Sequence, residues 1–301
     1  REDTADGGAT RMPDISGVRI EDATVRYRDN QTGVDLVTNV ARASLDTAGD
    51  GLAIRAEGTY QSVPFELDGT VGALASLLAG TGRYPIDLNV TAEDTELTLT
   101  GALDQSGRDV SPDVELSAKT GSLANLTALS GLPDLRLPDV GPAQVQGRVR
   151  GTDAGYRFSG LKAEVAGSDI AGDASVDLAG DRIRLSADLS SSTLDLRPFT
   201  QAAQAAKGRA DAGPRRLFPD TPLPLAGLRK LDADVRLKAG VVKLSEDFSA
   251  SELRLSATAE AGRLELKPLQ AKLADGTADL SLVFDARKSP ADVTIDLDVA
   301  G

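Results

Sequence analysis

Apolar and polar residues alternate through most of this chain, most cleanly over residues 160–196, GLKAEVAGSDIAGDASVDLAGDRIRLSADLSSSTLDL. Ile170, Gly172, Ala174, Val176 and Leu178 share one parity, and Asp169, Asp173, Ser175 and Asp177 the other. After the turn Ala179-Gly180-Asp181, Ile183, Leu185, Ala187 and Leu189 alternate with Arg182, Arg184, Ser186, Asp188 and Ser190. Side chains on a strand point to opposite faces with period two, so the stretch predicts a hairpin with one apolar and one wet face.

The same unit recurs along the chain. Val18 and Ile20, then Ala23, Val25 and Tyr27, form two alternating runs offset by one at Glu21-Asp22, which predicts a bulge. Further strands are expected over 36–45, 52–58, 63–71, 86–90, 97–103, 114–118, 145–150 and 156–165, with Gly- and Asp-containing turns between them. That spacing is the mark of an antiparallel meander. Short helical patterns interrupt it near 73–79, 122–130 and 197–206, with Ser122 as a candidate N-cap and Pro198 in a first turn. A short apolar helix after a strand can plug a groove end or cap an edge.

This organisation divides the chain into a lead-in (1–14), a β region with its three helices (15–200), a proline- and alanine-rich linker (201–229) and a second β region (230–301). In the last, alternation resumes at Leu231, Ala233, Val235 and Leu237. It continues through Ala278, Leu280, Leu282 and Phe284 to Val293, Ile295, Leu297 and Val299, enough for a second antiparallel sheet of about six or seven strands.

Composition narrows the function classes. The chain has 301 residues and a net charge of −13, which disfavours nucleic acid as a partner because counterion release needs clustered positive charge. It has no histidine, the commonest general base, and no cysteine for disulfide or thiol chemistry. No apolar run is long enough to cross a bilayer, so any membrane anchor or targeting segment would lie outside this sequence. The carboxylate pairs Glu93-Asp94, Glu246-Asp247, Asp173 with Asp177 and Asp296 with Asp298 fall on turns or outward strand faces. Nothing in their spacing separates a glycosidase pair from solvating charge. Neither an EF-hand loop, a phosphate loop nor a Gly-x-Ser-x-Gly elbow is present. The expectation is therefore a non-enzyme with no catalytic residue, metal or cofactor.

What remains is the apolar face. The residues alone leave two arrangements open: two sheets packed about 10 Å apart as an ordinary core, or one sheet curled into a trough open to an apolar ligand. Only 3% of residues are aromatic, and the small Ala, Gly and Val along this face fill space poorly. The candidate lining of such a trough is Ile170, Val176, Leu178, Ile183, Leu185 and Leu189, together with Leu280, Leu282 and Phe284.

Several stretches resemble the AsmA-like family. ISGVRIEDATVRYRD at 15–29 is similar to the opening of the AsmA-like domain, as is VPFELDGTVGALASLLAG at 63–80 with Tyr84-Pro85-Ile86-Asp87-Leu88 after it. Residues 159–196 resemble the family's Gly-Ser-Asp-Ile-x-Gly strand pair. Residues 217–269 resemble its second portion, through Phe218-Pro219-Asp220, Pro222-Leu223-Pro224-Leu225 and Gly262-Arg263-Leu264-Glu265-Leu266-Lys267-Pro268-Leu269. Residues 202–215 depart from it as an insertion. The resemblance implies a mainly β fold of long curved antiparallel sheets forming an open, taco-like groove with short helices capping it. It also implies anchorage to the bacterial inner membrane by an N-terminal helix missing here, a periplasmic location, and phospholipid or another acyl-chain lipid as the partner. Transfer of phospholipid toward the outer membrane would follow, as in the related TamB-like and bridge-like lipid transfer proteins. The alternative is a structural scaffold that binds outer membrane assembly proteins.

Overall fold

A computed structural model describes residues 17–29, 34–106, 109–126, 139–180, 182–201, 231–273, 276–287 and 291–300. β1 (Gly17–Asp29), β2 (Val34–Ala48), β3 (Gly51–Tyr60) and β4 (Val63–Val71) lead to a short helix, α1 (Leu74–Ala79). β5 (Thr81–Ala92), β6 (Thr95–Ser106), β7 (Asp109–Thr120), β8 (Ala143–Thr152), β9 (Gly155–Val165), β10 (Ser168–Asp177) and β11 (Ile183–Asp195) follow. β12 (Leu231–Lys243), β13 (Ser249–Glu260), β14 (Arg263–Leu273), β15 (Gly276–Asp285) and β16 (Asp292–Ala300) complete the series.

All sixteen strands form one open sheet in sequence order. The alternating segments are short and separated by tight turns, so each strand pairs with the next one the chain makes. At Ala166 and Gly167, both central residues of the β9–β10 turn have positive φ, 49° and 85°. That is the geometry whose twist matches a hairpin. The slip expected at Glu21-Asp22 is present: Asp22 has φ 50° and is skipped in the register opposite Ala41, so β1 and β2 shift faces together.

One neighbour pair departs from the meander. β12 runs parallel to β11, with Leu185 opposite Ala233 and Leu189 opposite Leu237. A parallel neighbour cannot be reached through a tight turn and requires a crossover connection between the two strands. The second sheet of six or seven strands expected after the linker is instead five strands, β12–β16, continuing the first sheet. Alternation reports which way a side chain points, not which strand lies beside it.

The helical expectations are met in part of their length. α1 ends at Gly80, in left-handed conformation (φ 64°), whose N–H donates to the Leu77 carbonyl. Its Leu77 and Leu78 are 43% and 62% exposed, so it covers little of the sheet. Residues 125–126 and 197–201 are helical. The remainder of the other two helical patterns, the lead-in 1–14 and nearly all of the linker lie outside the described residues.

Many buried residues line one long side of the sheet, where Ala92, Thr95, Thr120, Ala143, Ser168 and Asp195 sit at strand ends, and a second set, with Tyr84, Ala102, Val114, Ala259 and Ala286, lies toward the other side. Polar links tie these ends to the segments beyond them. The Thr95 hydroxyl donates to Thr120 Oγ1 at 3.0 Å, Thr120 donates to the Ser122 carbonyl, and Asn125 Nδ2 donates to Asp94 at 2.6 Å.

Candidate functional site

Cross-strand partners share a face, so the register locates the apolar surface residue by residue. One row crosses ten strands without a polar residue: Ile20, Ala43, Ala56, Leu67, Val90, Leu97, Ala118, Val145, Ala163 and Ile170. A second row takes over from β9 to β16: Leu161, Gly172, Leu189, Leu237, Leu255, Leu269, Leu280 and Leu297. Strands lie about 4.8 Å apart, so the apolar face extends roughly 70 Å in the hydrogen-bonding direction.

Bulges keep that face coherent. Gly160, at φ 60°, is the extra residue of β9, and its N–H donates to Asp173 Oδ1 on the polar side of β10 at 3.0 Å. The cis Lys267-Pro268 pair spans a similar shift between Leu266 and Leu269, leaving both leucines on the apolar face. At Ser192, Gly240 and Glu252 the skip crosses three strands, and the apolar positions change parity together. Past this line Val242 and Ala250 pack with Ala239 and Ala271 against Leu194, Leu196, Leu244, Leu253 and Leu273. Asp169 supports the line from β10, accepting the N–H groups of Thr193 (2.6 Å) and Ser192 (3.1 Å), and these bonds hold its carboxyl below the usual range.

The apolar face is not packed like a protein interior. Among the described residues no large side chain is fully buried. Ile170, Val176, Leu185, Leu189, Leu280 and Leu282 are half-buried on this face, screened by their neighbours within the sheet. Ile183 is 38% exposed, while Phe284 is buried between Leu264 and Val293, its partners on β14 and β15's other neighbour β16. Leu178 falls beyond the end of β10, exposed in the turn, where its N–H donates to the Ala154 carbonyl. Eight of the nine candidate residues thus lie on strands and on one face, in two groups, and Leu178 lies outside the strands. Exposure rises at the flanks: Val25 is 57% exposed on β1, Leu297 64% and Val299 61% on β16.

The opposite face is charged and cross-linked. Arg42 Nε donates to Glu57 at 2.7 Å. Asp113 lies beneath Arg148 (2.7 Å), Arg83 (3.4 Å) and Arg150 (3.5 Å), and the Arg148 hydrogen bond leads the causes that hold its carboxyl well below the usual carboxylate range. No sequence motif marks this cluster, because its members come from three strands. The polar face also bears shallow hollows. One of about 780 Å³ lies beside the Asp22 bulge, lined by Asn39, Glu57, Thr59 and Glu66 among others. Among the described residues no three His, Cys, Asp or Glu side chains are grouped to hold a metal ion, and no helix is long and apolar enough to cross a membrane.

No family model, curated protein or solved structure matches the chain. Its function is therefore read from the face itself.

Proposed function

We propose that this chain is the periplasmic portion of an inner-membrane-anchored AsmA-like protein that holds lipid acyl chains against its apolar face and supports phospholipid transfer to the outer membrane. One observation carries the reading: an apolar surface continuous across the sheet, on which, among the described residues, no large side chain is fully buried and most of the larger ones are half-buried or exposed. Soluble proteins rarely leave a contiguous apolar patch larger than a few hundred Å² open to water. An acyl chain of about 16 carbons loses on the order of 13 kcal/mol on leaving a bilayer for water, and an apolar strip removes much of that penalty. Curling of the sheet about its long axis into a taco-like groove would deepen the contact while leaving a charged headgroup wet. The chemistry requires neither a nucleophile nor a metal.

The test uses Val176 and Leu185, cross-strand partners on this face. Delipidated protein takes up a fluorescent phospholipid, and Val176→Asp with Leu185→Asp lowers uptake while the β-sheet circular dichroism is retained. Normal uptake by the folded variant overturns the assignment.

The hollows on the polar face favour a second reading, a scaffold on which outer membrane assembly proteins dock. Mass spectrometry of natively purified protein separates the two: co-purified phospholipid supports the first, and its absence supports the second.

A further inference from the structure

Among the described residues β1 and β16 are the outermost strands of the sheet, and they differ in the sign of their charge. On the polar face β16 presents Asp292, Asp296 and Asp298, with Asp298 directly opposite Asp279 and Asp292 directly opposite Asp285 on β15. Arg287 already holds Asp285 at 2.7 Å, but Asp298 and Asp279 face each other as like charges, which is destabilising, so this edge gains from a cationic row beside it. On the same face β1 presents Arg19, Arg26 and Arg28, all exposed, against Glu21 and, at the bulge, Asp22. The other faces of both strands are apolar and open: Ile295 and Leu297 are 48% and 64% exposed, Ile20 and Val25 40% and 57%.

Direction matches as well as charge. Antiparallel steps from β1 to β11, the parallel step to β12 and antiparallel steps to β16 leave β1 and β16 pointing the same way. Two copies placed side by side, with their apolar faces on the same side, would therefore meet as a parallel pair. The sheet already contains one such junction, between β11 and β12.

We propose that β16 of one molecule pairs in parallel with β1 of a second copy, joining molecules head to tail into a longer sheet. One register satisfies both faces. Asp292 lies beside Arg19 and Asp298 beside Arg26, while Val293, Ile295 and Leu297 meet Ile20, Ala23 and Val25. Thr294 then faces Glu21, and Asp22 bulges out of the junction. Such a bulge is compatible with pairing, because β2 pairs with the unbulged β3 across the same irregularity at Ala41. The rows need not be free of internal partners: Arg19 lies 3.8 Å from Asp46, and Arg26 and Asp292 also hold contacts within the chain. The junction is heterologous, so it extends without closing. The inference does not depend on lipid, since its charged residues lie on the polar face.

Sedimentation velocity over a wide concentration range tests it. The weight-average mass of the wild type rises beyond a dimer with concentration and falls with added salt, as screening predicts. Asp292→Arg with Asp298→Arg, and separately Arg19→Asp with Arg26→Asp, each weaken association by about tenfold. An equimolar mixture of the two variants associates again, because each new edge finds its complement. A monomeric wild type, a dimer that closes at two copies, or a mixture that stays monomeric overturns the proposal. Should either charge variant fail to fold, cross-linking decides. The chain has no cysteine, so Glu21→Cys protein mixed with Thr294→Cys protein should yield a disulfide heterodimer on oxidation. Absence of that product overturns the register. Unchanged phospholipid uptake in the charge variants would leave the lipid reading standing whichever way this test falls.

Discussion

Arg148 on β8 donates through Nε to the carboxylate of Asp113 on β7 at 2.7 Å, and that carboxylate is only 7% exposed beneath three arginines. A carboxyl held below its unfolded value contributes stability that is complete above about pH 4 and fades as the pH falls toward its folded value. The urea midpoint should therefore drop more between pH 6 and pH 3 for the wild type than for Asp113→Asn. The variant should be the less stable of the two at pH 6, because it leaves the arginines without their counter-charge.

Gly160 and Gly172, both at positive φ (60° and 154°), separate conformational strain alone from strain with collision. A Cβ at Gly160 meets open space, so Gly160→Ala carries only the left-handed backbone penalty, about 1 kcal/mol. A Cβ at Gly172 would lie 2.0 Å from the Asp188 carbonyl on β11. Gly172→Ala must part β10 from β11, and should lower the chemical-denaturation midpoint far more than Gly160→Ala does.

The buried Tyr84 hydroxyl donates to the Gly72 carbonyl at 2.8 Å, where the chain leaves β4 for α1. Tyr84→Phe leaves that carbonyl unpaired and should destabilise by about 1 kcal/mol in equilibrium unfolding. Hydrogen exchange should quicken first at Gly72, whose own N–H donates to the Pro85 carbonyl.

Position on the apolar face should decide whether a substitution affects folding or binding. Ala250 is buried against Val242 and Ala271, so Ala250→Leu overpacks the site and should destabilise by about 1–3 kcal/mol. Leu297 is 64% exposed. Leu297→Ala should change stability by no more than about 0.5 kcal/mol yet reduce phospholipid uptake. Parallel thermal melts and uptake assays check both.

Much of the fold was legible because period-two alternation is a local property. The antiparallel strands β10 and β11 and the slip at Glu21-Asp22 follow from side-chain parity, which needs no knowledge of partners. Pairing is not local. Nothing near Leu185 or Ala233 signals that they lie side by side in parallel, and the linker 201–229 read as a boundary although the strands on either side of it are neighbours. The shared shift at Ser192, Gly240 and Glu252 was hidden for the same reason: a skip in one strand means little until the adjacent strands skip with it. The apolar face was legible as a face, and the register adds its extent. Leu178 fell outside it because alternation carries one residue past the last strand hydrogen bonds.

Each strand touches mainly the strands made just before and just after it. A sheet built this way resembles a fence of pickets rather than a dome of interlocking stones. Duplicating or deleting one hairpin would change its reach by a fixed increment and leave distant pickets undisturbed, so span can evolve independently of the chemistry along it.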